Sequence, residues 1–336
     1  MFTAILVSLA LAAAPQAHPP ETLALPVDWY PESLAVGSDG IIYVGSWRQG
    51  AVVRLRAPDW APEPFVAPGA GGLSNTQGLL VDERRGLLWA CSGDVGHALV
   101  PATPSALKAF RISDGQPVLD LPMPDEGYCN DIALGRDGFV YVTDTFHPRI
   151  LRWRPDAGAL EIWLDSPHLE SEGRFQLNGI ARLESAFFVS PVVAADYIFR
   201  IDTGPEGRPT AVSRVRAPRI LRNTDAIRAL PDGRLLLFES NAFGEGPWGG
   251  RISVARVEGD AITELKEVRA GLNDPSSGII VGDAVYFVES KYSLLLRHPV
   301  PAEIPAQVPF DLQSVRLPIQ TDPGARPSAM AGSGGR

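Results

Sequence analysis

Several things are scarce in this 336-residue chain, and each scarcity narrows what it does. Basic residues are outnumbered: 30 Lys and Arg against 39 Asp and Glu give a net charge of −9, without long runs of one sign. A phosphate-tracking basic surface is therefore missing, and nucleic acid is not an expected partner. After residue 17 no segment is long and apolar enough to cross a bilayer as a helix, so no membrane span is expected in the mature chain. There are only two cysteines, Cys91 and Cys129, and five histidines.

At the amino terminus, MFTAILVSLALAAAPQA has no Lys or Arg, but its apolar core over residues 4–14 has the length of a signal-peptide h-region. Residues 1–17 are expected to be a signal peptide cleaved between Ala12 and Ala17, which makes the protein periplasmic or secreted. At the other end, residues 319–336 are rich in Pro, Gly, Ser and Ala, with little to bury. A disordered tail is expected there.

Between these ends the chain repeats itself. Residues 130–144, NDIALGRDGFVYVTD, hold an amide, a carboxylate, a strand, an Asp-Gly turn, a second strand and a closing Asp. That order reads as a β-hairpin with polar groups at its open end. Similar units begin at Glu32, Gln77, Asn178, Asp225 and Ser277, so successive starts are 45, 53, 48, 47 and 52 residues apart. This is the period of four-stranded propeller blades, and it predicts an all-β, six-bladed β-propeller over residues 22–318, one domain despite its length. The outer-strand segments TLALP, at 22–26, and QSVRLP, at 313–318, compete to complete the sixth blade.

Inner strands of a propeller surround an axis, so Glu32, Gln77, Asn130, Asn178, Asp225 and Ser277 should face one another. Within that set Glu32, Asn130, Asn178 and Asp225 supply two carboxylates and two amide oxygens, with no His or Cys. Hard oxygen donors with a formal charge of −2 suit calcium, with magnesium or manganese as alternatives, and disfavour a closed zinc site. The bland alternative is that these are turn formers at a repeat boundary. Separate turn signals at Asp39-Gly40, Asp137-Gly138 and Asp232-Gly233, and a Glu at position 32, argue against it.

Two connections should flank the channel mouth: SGDVGHALVPATPS after Cys91 and SNAFGEGPWGG after Glu239. Cys91 and Cys129 fall on the same face of adjacent blades. Either a disulfide or a pair of small buried thiols fits them.

The run Asn130-Asp131, Asp137-Gly138, Tyr141 and Thr143-Asp144, together with Pro31-Glu32, Leu177-Asn178-Gly179 and Thr224-Asp225, resembles the regucalcin and gluconolactonase family of six-bladed propellers. The resemblance spans about residues 25–297. It implies that Glu32, Asn130, Asn178 and Asp225 hold a catalytic divalent cation, usually calcium in that family, and that a lactone or related ester is hydrolysed. Asp225 is then the candidate to assist the attacking water. Asp131 and Asp144 either support that site or cap hairpin backbone groups. His97 and His147 are candidate proton shuttles, as a His is in the related paraoxonases. Sugar-lactone members commonly carry a basic residue just before the third-blade Asn, where this chain has Tyr128-Cys129. That departure points away from an aldonolactone, and Tyr128 with Trp248 favours a less polar substrate. A non-catalytic propeller with a structural metal and a phosphotriester hydrolase are the competing readings.

Overall fold

The structure is a computed structural model that describes residues 18–240, 249–298, 300 and 303–317. The expected signal peptide at 1–17, Trp248 with most of the loop after Glu239, and the tail at 319–336 lie outside the described residues. Among those described, no helix is long and apolar enough to cross a membrane.

The described residues form four four-stranded antiparallel sheets and one eight-stranded sheet. Three of the four-stranded sheets are built in chain order from an inner strand outward, starting at Pro31–Val36, Asn75–Asp82 and Cys129–Leu134. The eight-stranded sheet has the inner strands Leu177–Leu183 and Thr224–Ala229 at its two ends. Its halves meet at one parallel bridge, Arg216 opposite Ala261, between the long outer strands Pro209–Leu221 and Ala261–Leu272. The last sheet starts at Pro275–Val281. The six inner strands neighbour one another in a closed cycle, the last lying beside the first.

Ring closure uses both candidate segments. Asp311–Arg316 is the third strand of the last sheet, and Thr22–Ala24 pairs with it as the outermost strand. The competition expected from sequence thus resolves into two different places in one sheet. Among the described residues between Glu289 and Asp311 the chain forms no strand, and the fourth strand of the last sheet comes from the amino-terminal segment.

Local chemistry sets the hairpins. In three of them an Asp-Gly pair makes the turn: Gly40, Gly138 and Gly233 have φ of 80°, 76° and 84°. Glycine adopts this left-handed region without a Cβ penalty. The carboxylates of Asp39, Asp137 and Asp232 each accept the backbone N–H two residues on, at 3.0, 3.0 and 3.2 Å. The register that follows is shared, with Leu34 opposite Val44, Ile132 opposite Val142 and Ile227 opposite Leu237.

The core is divided into six apolar clusters, each at the seam between neighbouring four-strand units. At one seam Trp89 and Trp153 pack at a tilt of 54° with ring centroids 4.9 Å apart, and at the closing seam the Tyr30 ring lies 4.7 Å from that of Phe310. Such aromatic pairs add about 0.5–1.5 kcal/mol beyond the area they bury.

Candidate functional site

Every inner strand carries a register irregularity, and it falls on the residue that sequence analysis singled out. The shifts lie between Pro31 and Leu34, Thr76 and Leu79, Cys129 and Ile132, Leu177 and Ile180, Thr224 and Ala226, and Pro275 and Gly278. In five strands two residues oppose one on the partner; in the fifth inner strand Asp225 is the extra residue. A bulge bends its strand and re-aims a side chain. Here the bulges interrupt pairing at Glu32, Gln77, Asn130, Asn178, Asp225 and Ser277. Close approach of adjacent inner strands needs small residues beside them. A Cβ on Gly179 would lie 2.7 Å from the carbonyl oxygen of Asp225, and one on Gly78 would lie 2.7 Å from that of Asn130.

Five of the six side chains line one cavity of about 240 Å³: Glu32, Gln77, Asn130, Asn178 and Asp225. Ser277 does not. Its hydroxyl instead accepts from Arg228 Nη2 at 2.9 Å, one member of a second polar cluster on the inner strands. In that cluster Arg228 Nη1 donates to Asp131 Oδ2 at 2.7 Å, and the same oxygen accepts the Ile180 N–H at 3.0 Å. Asp131 thus ties three inner strands together and lies outside the cavity lining.

The electrostatics of the cavity are those of oxygens short of a cation. Burial raises the Glu32 carboxyl well above its ordinary range, with the Asp225 and Asp131 charges adding to the rise and Arg228 opposing it. Burial likewise pushes Asp225 up to about 7; the Asn178 hydrogen bond opposes this, and Asp274 and Asp131 reinforce it. Asn178 Nδ2 donates to Asp225 Oδ1 at 3.0 Å, and Asn130 Nδ2 donates to Thr145 Oγ1 at 2.9 Å. Glu32 Oε2 and Asn178 Oδ1 are buried without a hydrogen-bond partner among the described residues. Unmatched buried oxygens are costly, by about 1–3 kcal/mol each. Two carboxylates and two amides, with one oxygen of Glu32 and one of Asn178 left bare, fit a hard divalent cation. Among the described residues no three His, Cys, Asp or Glu side chains gather as a metal-ligating group.

The remaining expected residues separate clearly. Tyr128 lines the cavity, accepts from Gln77 Nε2 at 2.7 Å, and is kept protonated by burial and by the Glu32 charge. His97 also lines it, from the connection after Cys91 expected at the mouth, and packs on Trp47 with centroids 5.8 Å apart. Burial lowers its pKa, so the ring is neutral at pH 7. His147 does not line the cavity and bonds Asp144 at 3.0 Å. Asp144 is a cap: it accepts the Tyr128 and Phe146 N–H groups at 2.8 and 2.9 Å and pairs with Arg149 Nε at 2.9 Å. Cys91 and Cys129 are joined as a disulfide with Cα atoms 5.1 Å apart, linking two sheets immediately before Asn130.

Sequence reasoning passed over Trp47, Phe146, Phe175 and Tyr292, which complete the cavity wall. A signal for three of them exists. Trp47, Phe146 and Tyr292 each come one to three residues after the second strand of a hairpin, Ile42–Ser46, Val140–Asp144 and Ala284–Glu289.

No family model matches the chain, and no curated protein matches it in sequence. Solved structures do. A gluconolactonase from Xanthomonas campestris is 14% identical, with 91% of this chain and 99% of that one covered and a TM-score of 0.59. A calcium-binding protein, regucalcin, from Agrobacterium tumefaciens is 10% identical, with 88% and 93% covered and a TM-score of 0.59. Virginiamycin B lyase from Staphylococcus aureus, as a catalytically inactive His-to-Ala variant with quinupristin, is 15% identical, with 88% and 83% covered and a TM-score of 0.58. At these identities the likeness is one of architecture, and the chain has the all-β propeller fold that the gluconolactonase and regucalcin structures share.

Proposed function

We propose that the protein is an exported, divalent-metal-dependent hydrolase of a lactone or related ester, built on six blades, with the two halves of the eight-stranded sheet counted as two. The observation that carries this reading is the pair of bare buried oxygens, Glu32 Oε2 and Asn178 Oδ1, lining one cavity with the raised carboxyl of Asp225. Glu32, Asn130, Asn178 and Asp225 would hold the cation, calcium by preference. A divalent cation at such a site polarises a carbonyl and balances the negative charge that develops on its oxygen.

The chain's own groups supply the rest. Asn178 fixes the orientation of Asp225, the carboxylate placed to take a proton from the attacking water. Tyr128 Oη accepts from Gln77 and so keeps its own proton free to donate to a substrate oxygen. Export is supported by the apolar run at residues 4–14 and by the disulfide, which persists in oxidising compartments. Likeness to a gluconolactonase supports the lactone class.

The test is calcium titration of chelator-stripped protein with lactone, aryl-ester and phosphotriester hydrolysis followed in the same samples. Calcium-dependent lactone or ester turnover, lost in Glu32→Gln and Asp225→Asn while both variants stay folded and bind calcium more weakly, is the expected result. Preferred cleavage of the phosphotriester assigns the other hydrolase reading. Calcium binding without turnover of any of the three assigns a structural metal, and unchanged turnover in both variants removes the site.

A further inference from the structure

The cavity lining carries two kinds of surface. Its carboxylates and the amides of Gln77, Asn130 and Asn178 come from the bulged inner strands, whereas connections and strand ends contribute Trp47, Tyr128, Phe146, Phe175 and Tyr292, with Val95 and Leu296. The wall aromatics touch: Tyr128 lies 5.1 Å from Phe146, Phe146 lies 6.0 Å from Phe175, and Trp47 lies 5.2 Å from Tyr292. Val95 and Leu296 keep 43% and 39% of their surface exposed. Single exposed apolar residues are ordinary on a protein surface. Two of them on the same concave lining, continuous with five aromatic rings, form a surface suited to an apolar ligand.

Polar groups besides the four proposed ligands also line the cavity, Gln77, His97, Tyr128, Thr145, Asn223 and Ser240, but none of them is cationic at pH 7. No Lys or Arg lines the cavity among the described residues. The Thr145 hydroxyl is already engaged on both sides, donating to the Leu177 carbonyl at 2.8 Å and accepting from Asn130. A sugar hydroxyl buried against this wall without a partner loses binding by about tenfold.

We infer that the substrate is a lactone or ester bearing an apolar alkyl or aryl chain, which lies along the aromatic wall while its carbonyl faces Glu32, Asn178 and Asp225. This rests on the hydrolase reading for the carbonyl end only. The wall would bind the same apolar chain on an unreactive molecule.

Two measurements on calcium-loaded full-length protein test it. In the first, unreactive 2-alkylcyclopentanones from methyl to hexyl are titrated by calorimetry. Burial of each added methylene should tighten binding by about fourfold until the wall is filled. Phe146→Ala and the exposed Val95→Ser should flatten that slope while keeping the melting temperature, so a folding defect in one leaves the other to report. In the second, kcat/KM for γ-alkyl lactones is compared with that for glucono-1,5-lactone, and the alkyl series should be preferred, increasingly with chain length. Affinity independent of chain length, or preference for gluconolactone, overturns the inference. Chain-length-dependent ketone binding without turnover of any lactone or ester upholds the apolar site and refutes the hydrolase reading alone.

Discussion

At the scale of single residues, Arg228 acts on the cavity from outside its lining. It joins Asp131 and Ser277 across inner strands far apart in sequence, and its charge opposes the rise in the Glu32 pKa. Removing it leaves the buried Asp131 carboxylate without its cation. Breaking one partner of a buried pair costs about 3–5 kcal/mol, whereas replacing both with apolar groups is often neutral. Arg228→Met should therefore lower stability by about that amount in chemical denaturation, and Arg228→Met combined with Asp131→Leu should recover most of it. No recovery in the double variant would show that Asp131 acts through Ile180 rather than through the ion pair.

Titration of the two cavity carboxylates gives a second residue-level expectation. In metal-free protein Asp225 is raised to about 7 and Glu32 is raised as well, so the folded chain holds protons that the unfolded chain releases near pH 4. When the folded state binds more protons, stability falls as pH rises through that interval. Relative to an Asp225→Asn variant, which keeps the other titrating groups such as His97, chelator-stripped protein should lose stability from pH 4 to pH 7, whereas calcium, which needs both groups ionised, should bind more tightly as pH rises. A stability difference between the two that does not change over this range would contradict the burial of Asp225.

At the scale of the element, the bulged inner strand with its crowded glycine is the recurring device. Gly179→Ala puts a Cβ against the Asp225 backbone, where no flexible side chain can move aside. It should weaken calcium binding without removing any donor atom, and an unchanged calcium affinity would show that adjacent inner strands can part freely. The disulfide acts on the neighbouring seam. Closing a 38-residue separation should stabilise the fold by about 3–4 kcal/mol in the chain-entropy picture. A Cys91→Ala, Cys129→Ala double variant should lose that much in denaturation, and equal stability would mean that packing alone holds the seam.

This device also marks how far the sequence could be read. The repeat was legible because each hairpin writes a polar residue, an apolar strand and a turn in the same order, and the starting residues fall on the axis for that reason. The bulges were not legible, since register depends on which partner residues pair and not on the strand's own composition. Ser277 differs from its equivalents for another reason that the repeat does not show: its short hydroxyl is taken up by Arg228, whose partner Asp131 lies 97 residues away. Trp47, Phe146 and Tyr292 escaped because they sit in connections of unequal length, where the repeat gives no alignment. Asp144 read equally well as a cap or as a site residue, and its four partners place it as a cap.

At the scale of the whole molecule, the ring is closed by three residues of strand. Thr22–Ala24 adds to Asp311–Arg316 through the pairs Thr22 with Gln313, Leu23 with Leu312 and Ala24 with Asp311, and Leu23 packs in the apolar seam with Tyr30 and Phe310. That seam joins the first and last sheets, and the first sheet carries Glu32. Two further contacts cross the same seam at its inner edge: Ser276 Oγ donates to the Glu32 carbonyl at 2.7 Å, and Ser290 Oγ to the Pro31 carbonyl at 2.5 Å. Closure therefore serves the site as well as the fold, because a ring opened here frees one of the two carboxylates while Asn130, Asn178 and Asp225 keep their neighbours. Leu23→Asp, which buries a charge in this seam, should lower stability by roughly 2–5 kcal/mol. Hydrogen exchange should rise first in Pro31–Val36 and Pro275–Val281 and last in Cys129–Leu134 and Leu177–Leu183. Calcium affinity should fall in the folded variant even though no donor has changed. If exchange instead rises uniformly around the ring, the seams are equivalent and closure by the amino-terminal strand has no special hold on Glu32; if calcium affinity is preserved while the seam opens, Glu32 is held by its own sheet, and the weight of the site shifts to the bulged strands at Asn130, Asn178 and Asp225.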